Sequence, residues 1–205
     1  MSERTELQRK PARAVADSDA IYAILDEGLV AHVGLISRDG DTAYPVVIPM
    51  LYARDGNVMY LHGSPASRLL RMAKGGAEVC VTVTLLDALV LARSGLHHSM
   101  NYRSVVVMGT ATEVSDHREK VVALDRLVDH TIPGRSAQIR VAHEAEVKGT
   151  TVLVLSLDEC SMKARTTGVV DDPNDLDDPA WAGLIPVGVA VGEPEPDEGS
   201  TGETV

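Results

Sequence analysis

The chain has 205 residues, 44% of them hydrophobic, with one Trp, no Phe and a formal net charge of -11. That length suits one domain with a sizeable core, which must rest on Val, Leu, Ile and Ala. The negative charge argues against nucleic acid or an anionic membrane as the main partner. No apolar run approaches the roughly 18 residues of a membrane span.

Charge is unevenly spread. Residues 1–13 carry +2, residues 14–170 carry -3 and residues 171–205 carry -10, with no Lys or Arg after Arg165. We expect a flexible N-terminal segment over 1–17, one folded domain over 18–186 and an acidic disordered tail over 187–205. The tail "VGEPEPDEGSTGETV" has nothing to bury. The run "DDPNDLDDPA" lacks the spacing of a calcium loop and is broken by Pro173, so it reads as an acidic linker. The N-terminus "MSERTELQRKPARAV" has no apolar signal region, and Cys80 and Cys160 form no C-x-x-C pair. A cytoplasmic protein is the expectation, with Cys80 a buried reduced thiol.

In chain order, Ser18 is placed to cap a helix with Ile21, Tyr22, Leu25 and Leu29 on one face. Strand-like runs follow. "VAHVGLIS" leads through "RDGD" into "TAYPVVIPMLY", and "ARDGN" leads into "VMYLHG". The two D-G turns are strong hairpin signals. Pro45 and Pro49 remove two backbone donors, so their strand is an edge or meets something other than a neighbour. After Pro65 comes a short basic helix. "EVCVTVTLL" then alternates, with Val79, Val81, Val83 and Leu85 on one face. "DALVLARS" continues after a tight connection at Asp87, and "RSVVVMGTATEV" is another long strand with Gly109 a bulge or close-approach point. Asp116 and Glu119 resemble a capping box for a helix with Val121, Leu124, Leu127 and Val128 on its apolar face. "IPGRS" ends it, a weaker helical stretch runs to about Lys148, and "TTVLVLSLDE" is the last strong strand. Six or seven antiparallel strands with inserted helices make a small α+β barrel.

The stretch "YLHGSPASRLLRMAKGG" carries the most chemistry. Ser64 is suited to N-cap and Pro65 to N1, so free N–H groups and the positive end of the dipole would face outward. Ser67, Arg68 and Arg71 would lie beside them, while Leu69, Met72 and Ala73 pack inward. That is a phosphate-binding arrangement. It equally describes an ordinary capped helix with solvated basic residues.

The order "PVVIP", "YLHGSPASR", "VCVTVT" and "HHSMNYRSVVVMG" resembles the flavin-nucleotide-binding branch of the pyridoxamine 5'-phosphate oxidase-like split-barrel family. Nitroimidazole-resistance proteins are among its relatives. The likeness covers roughly Ser18 to Pro186. It implies a six-stranded antiparallel split β-barrel of α+β class, homodimeric, with FMN in clefts between subunits. FAD, a deazaflavin or haem are the alternatives for that cleft. Carried over by position, the backbone of Val46, Val47 and Ile48 would follow the isoalloxazine edge. His62, Ser64, Ser67 and Arg68 would surround the ribityl phosphate. Ser99, Asn101, Tyr102 and Arg103 would complete the cleft from the partner, and Lys163 and Arg165, after the last strand, would lie near the flavin.

Each residue has a plainer role beside this one. His62 suits a turn carbonyl, Tyr102 a core position and Arg103 an exposed strand end, while Lys163 and Arg165 suit an exposed turn. His97 and His98 have no third ligand at metal spacing, so no metal site is expected. The strand "PVVIPMLY" has no Lys or Arg and Trp181 has no flanking Arg, so pyridoxamine phosphate oxidation is not implied. The expected function is a flavin-dependent oxidoreductase passing hydride or electrons to a small-molecule acceptor. A non-catalytic flavin carrier or sensor, or a haem protein with His62 as axial ligand, are the alternatives. No catalytic acid, base or nucleophile can be named from spacing.

Overall fold

The computed structural model describes residues 17–200, together with Arg4 and a two-residue strand at 14–15. The expected flexible segment 1–17 thus falls almost wholly outside the described residues, as does the end of the tail at 201–205. The strands are β1 (Ala14–Val15), β2 (Val30–Asp39), β3 (Thr42–Asp55), β4 (Val58–Gly63), β5 (Glu78–Leu91), β6 (Ser99–Thr110), β7 (Thr112–Glu113), β8 (Thr151–Ser156), β9 (Cys160–Arg165) and β10 (Gly183–Pro186). The helices are α1 (Ser18–Glu27), α2 (Arg68–Lys74), α3 (His117–Thr131) and α4 (Glu144–Lys148).

The strands form one antiparallel sheet in the order β1-β9-β6-β5-β2-β3-β4-β8-β7, with β10 added to β5. It curls around a core in which Val33, Val81, Val83, Val105, Leu61 and Leu153 are at most 1% exposed. Burying each such side chain is worth roughly 1.5–3 kcal/mol. Both D-G turns close tight hairpins: Asp39 pairs with Thr42 and Asp55 with Val58. Gly40 and Gly56 take φ of 57° and 55°, a left-handed conformation that favours glycine.

The expected α+β class and antiparallel barrel-like sheet are present, but several details differ. Ten strands are seen among the described residues against six expected; β1, β7, β9 and β10 are the additions, three of them too short to show a period. "SMKART" is not a turn after the last strand but β9 itself, paired to β6. Asp87 is not a connection either: β5 runs through it, with a register shift between Leu86 and Ala88. The first helix is capped by Asp17, whose carboxylate accepts from the Asp19 N–H, rather than by Ser18. Leu29 falls beyond it, 41% exposed, and Ile24 packs in its place. On α3 the cap is Asp116 as expected, accepting from Arg118 and Glu119, while Ala123 and Leu127 are the buried pair. Cys80 is exposed, not buried, because the inward face of β5 belongs to its odd-numbered valines.

Candidate functional site

The upper half of β3 is the starting point. Residues 42–51 pair with β2 on one side only, and β3 meets β4 only from Tyr52 onward. One edge of 42–51 is therefore open among the described residues. Pro45 and Pro49 have no N–H, which a ladder tolerates where the amide side faces away from the neighbouring strand; residues two apart turn their amides the same way, so that of Val47, between them, faces the open edge with theirs. Val46 is half-buried against the core, while Val47 and Ile48 are 59% and 42% exposed.

The chain next reaches this region at the end of β4. His62 is half-buried, opposite Val152. Its Nδ1 is buried and has no hydrogen-bond partner. Burial also pushes the imidazole pKa below its usual value, so the ring is held neutral. An unpartnered buried nitrogen costs about 1–3 kcal/mol, which a ligand contact would recover.

The helix start lies three residues later than expected. Ser64 is not the N-cap: it closes a turn in which its hydroxyl accepts from the Ala66 N–H at 3.2 Å and its carbonyl from the Ser67 N–H at 2.9 Å. Ser67 is the N-cap, accepting from the Leu70 N–H at 3.4 Å, and α2 begins at Arg68. Pro65 thus belongs to the preceding turn, which its fixed φ also suits. Leu69, Leu70 and Ala73 are buried beneath α2. Arg68 and Arg71, one helical turn apart, stay exposed.

Arg68 donates to the Tyr44 hydroxyl of β3 at 2.9 Å, tying the helix start to the open strand. Ser37, Arg38, Tyr44, Arg68, Arg71 and Met72 line an open cavity of about 410 Å³. Sequence reasoning missed Arg38 and Tyr44 as site residues. They sit near a hairpin turn, and nothing in their spacing says that α2 folds back to meet them. A second, more apolar cavity of about 250 Å³ lies on the outer sheet face and includes Gly34, Ile36, Pro45, Val47, Cys80 and Met108.

The remaining expected residues are elsewhere in this chain. Ser99, Asn101, Tyr102 and Arg103 are on β6, three strand positions from β3, roughly 14 Å at normal strand spacing. Lys163 is one strand further, on β9. Asn101 is buried and its side-chain oxygen accepts from Arg165. Arg103 is committed to two carboxylates, Glu27 at 2.6 and 2.9 Å and Asp87 at 2.8 to 3.2 Å. Arg165 is no exposed turn residue: it is 6% exposed and also donates to the carbonyls of Thr167 and Gly168. Among the described residues no cluster of three or more His, Cys, Asp or Glu could hold a metal ion. Among the described residues no helix is long and apolar enough to cross a membrane.

The family model described as pyridoxamine 5'-phosphate oxidase matches residues 17–164. The chain belongs to the pyridoxamine 5'-phosphate oxidase family. No curated protein matches it. Among solved structures, it is 39% identical to the flavocytochrome Anf3 of Azotobacter vinelandii, covering 99% of this chain and 92% of that one with a TM-score of 0.90. It is 32% identical to the FAD and heme binding protein of Mycobacterium smegmatis, covering 93% and 94% with a TM-score of 0.82. A Bacteroides thetaiotaomicron protein assigned to 5-nitroimidazole antibiotic resistance shares the fold, at 24% identity over 74% of this chain and 86% of that one, TM-score 0.61. The resemblance drawn from the motifs is thereby borne out.

Proposed function

We propose that the chain binds a flavin nucleotide and works as a redox protein passing hydride or electrons to a small-molecule acceptor. The observation that carries this reading is the junction of Arg68 and Tyr44 beside the open edge of β3. A planar ring that needs backbone donors and an anionic tail that needs a cation would be served within one region. The Val47 amide would meet the ring edge, with Val46 and Ile48 flanking it. Ser64, Ser67 and Arg68 would hold the phosphate, and His62 would lie alongside. Flavin, when bound, supplies the electron transfer itself, and the protein supplies position and electrostatics. Names of the two relatives above, one a flavocytochrome and one an FAD and heme binder, support it.

The same reading makes the protein a homodimer. On the outer sheet face, Ile36, Val47, Leu89, Met100 and Ile185 are 42–59% exposed. Such a face favours burial against a second copy. A partner approaching there would bring Ser99, Tyr102 and Lys163 toward a cleft they do not reach within their own chain. Arg103 and Asn101 would act by holding their own surroundings, being already engaged.

Haem beside the flavin is a second reading, favoured by the names of both relatives and by His62. Its imidazole is neutral and has a nitrogen without a partner, as an axial ligand requires. An absorption spectrum of the purified protein, with mass spectrometry of what heat releases, tests both readings. A flavin band supports the first. A Soret band that His62→Ala abolishes supports the second. A colourless protein that no added flavin stabilises defeats both.

A further inference from the structure

The chain that leaves β10 is uncharged before it turns acidic. It reads Val187, Gly188, Val189, Ala190 and Val191, and the first carboxylate follows at Glu193. The Val187 N–H donates to the Asp87 carbonyl at 3.0 Å, which fixes the root of this arm to β5. Past that point, among the described residues, the arm's one hydrogen bond is local, from the Ser200 N–H to the Asp197 carbonyl. Val189 and Val191 are 88% and 87% exposed. Alternate residues of an extended segment share a side, so 187, 189 and 191 make an apolar stripe. Single exposed apolar residues are ordinary, whereas contiguous apolar surface marks a contact.

A seat of matching pattern lies on the outer sheet face. Ala31, Val33 and Leu35 of β2 are buried, so alternation turns Gly34, Ile36 and Arg38 outward. Gly34 has no side chain, and the apolar cavity of about 250 Å³ opens there among Ile36, Val47, Cys80 and Met108. That volume is below the roughly 300–1,000 Å³ of a small-molecule site and suits aliphatic side chains better. Arg38 lies two residues past Ile36 and holds no carboxylate among the described residues. Glu193 lies two residues past Val191. Small, apolar and basic on β2 thus match apolar, apolar and acidic on the arm, at the same spacing.

The arm's valines fall short of this seat in their own chain. Val187 is tied to Asp87, and Cys80 is seven residues back along β5, roughly 23 Å at the rise of a strand. From Val187 the chain reaches Val189 within about 7 Å and Val191 within about 14 Å. We propose that the arm of each copy lies in the Gly34 groove of a second copy. Val189 sits over Gly34, Val191 beside Ile36 and Glu193 against Arg38. A two-fold axis makes the exchange mutual, each chain giving one arm and receiving one. This rests on the homodimer reading above and goes beyond it in naming the segment exchanged and the seat it fills.

The test is cross-linking and sedimentation of the full chain. Cys80 is exposed in the seat and supplies a native thiol. Val189→Cys under a mild thiol oxidant should give a disulfide-linked dimer that Cys80→Ser prevents. Under reducing conditions wild type should sediment as a dimer. Val189→Asp combined with Val191→Asp should weaken that dimer at least tenfold, since two apolar side chains lose their burial. Arg38→Glu should weaken it about two- to fivefold, as for an exposed ion pair. An unchanged circular-dichroism spectrum separates lost association from lost folding. A double variant that dimerises as wild type does overturns the exchange and leaves the homodimer reading standing. So does a linked dimer that survives Cys80→Ser, a disulfide closed within one chain, or no linkage at all. A monomeric wild type defeats the homodimer reading and the exchange with it.

Discussion

The Arg68 guanidinium sits 5.6 Å from the centre of the Tyr44 ring and donates to that ring's hydroxyl at 2.9 Å. A helix start and an open strand edge, far apart in sequence, are thereby held in one geometry before any ligand arrives. Preorganisation of this kind lowers the ordering cost of binding. Arg68→Ala should weaken flavin-nucleotide binding about ten- to a hundredfold, equivalent to roughly 1.5–3 kcal/mol for a charge-assisted hydrogen bond. Tyr44→Phe should give a smaller loss, about two- to tenfold, since it removes a neutral partner. Fluorescence titration reads both, with riboflavin as the phosphate-free control. Unchanged affinity in Arg68→Ala would remove the phosphate assignment.

His62 offers a test in which stability and binding move apart. Its buried Nδ1 has no partner, so replacing the ring removes an unfavourable group from the ligand-free chain. His62→Leu should leave the urea midpoint of that chain unchanged or higher while weakening the ligand. The pH dependence has a definite sign. The folded pKa is lowered by burial, so the neutral ring's contribution is present above the unfolded value of about 6.5 and is lost as pH falls below it. Between pH 7 and 5, wild type should therefore lose more stability than His62→Leu. Parallel pH profiles for the two proteins would show that the ring is not held neutral.

Gly28 closes the joint between α1 and β2. A Cβ there would meet Val83 Cγ1 at 2.5 Å and the Tyr52 hydroxyl at 2.9 Å. That hydroxyl already donates to the Leu25 carbonyl at 2.6 Å, and the Gly28 carbonyl is 2.7 Å from His130 Nε2. Overpacking a site this tight costs about 1–3 kcal/mol. Gly28→Ala should lower the unfolding free energy by that amount, read as a fall in the denaturation midpoint at unchanged slope. Its flavin affinity should change little, the joint being remote from the cavity. A wild-type midpoint would mean that the joint yields more easily than its contacts imply.

Asp171 pins the segment leading to β10. Its carboxylate, 2% exposed, accepts from the Arg93 backbone N–H at 2.9 Å and from the Arg93 guanidinium at 2.6 Å. The backbone bond first, and the guanidinium after it, hold its pKa below the usual carboxylate value. A depressed carboxylate stabilises above its unfolded value of about 3.9, and the contribution is lost as pH falls through the folded one. Limited proteolysis within 166–182 should therefore quicken in Asp171→Asn at neutral pH, and in wild type below about pH 4. Cleavage at the same rate in variant and wild type would show that the pair does not anchor the segment.

The parts of the fold legible in advance were those with a local cause. Val79, Val81 and Val83 announced a half-buried strand by alternation, and the two D-G turns announced their hairpins through the φ that glycine permits. The cap of α2 was misread because Ser64 and Ser67 are both competent caps, and packing of Leu69 and Leu70 decides between them. β9 was missed because Lys163 and Arg165 look like surface charge. Arg165 is buried only because Asn101 and two carbonyls converge on it from another strand and the following loop.

By itself the sequence determined the strand periods, the tight turns, the α+β class and the family, since each depends on neighbouring residues or on motif order. Only the tertiary structure decided what the charges do. Arg103 was drawn away to Glu27 and Asp87, while Arg38 and Arg71 were brought to the Arg68 cavity from two separate elements. Electrostatic partnership acts through space and is invisible to spacing along the chain. Whether a guanidinium ends beside a carboxylate or beside an empty cavity is settled by how the sheet curls and where α2 packs against it.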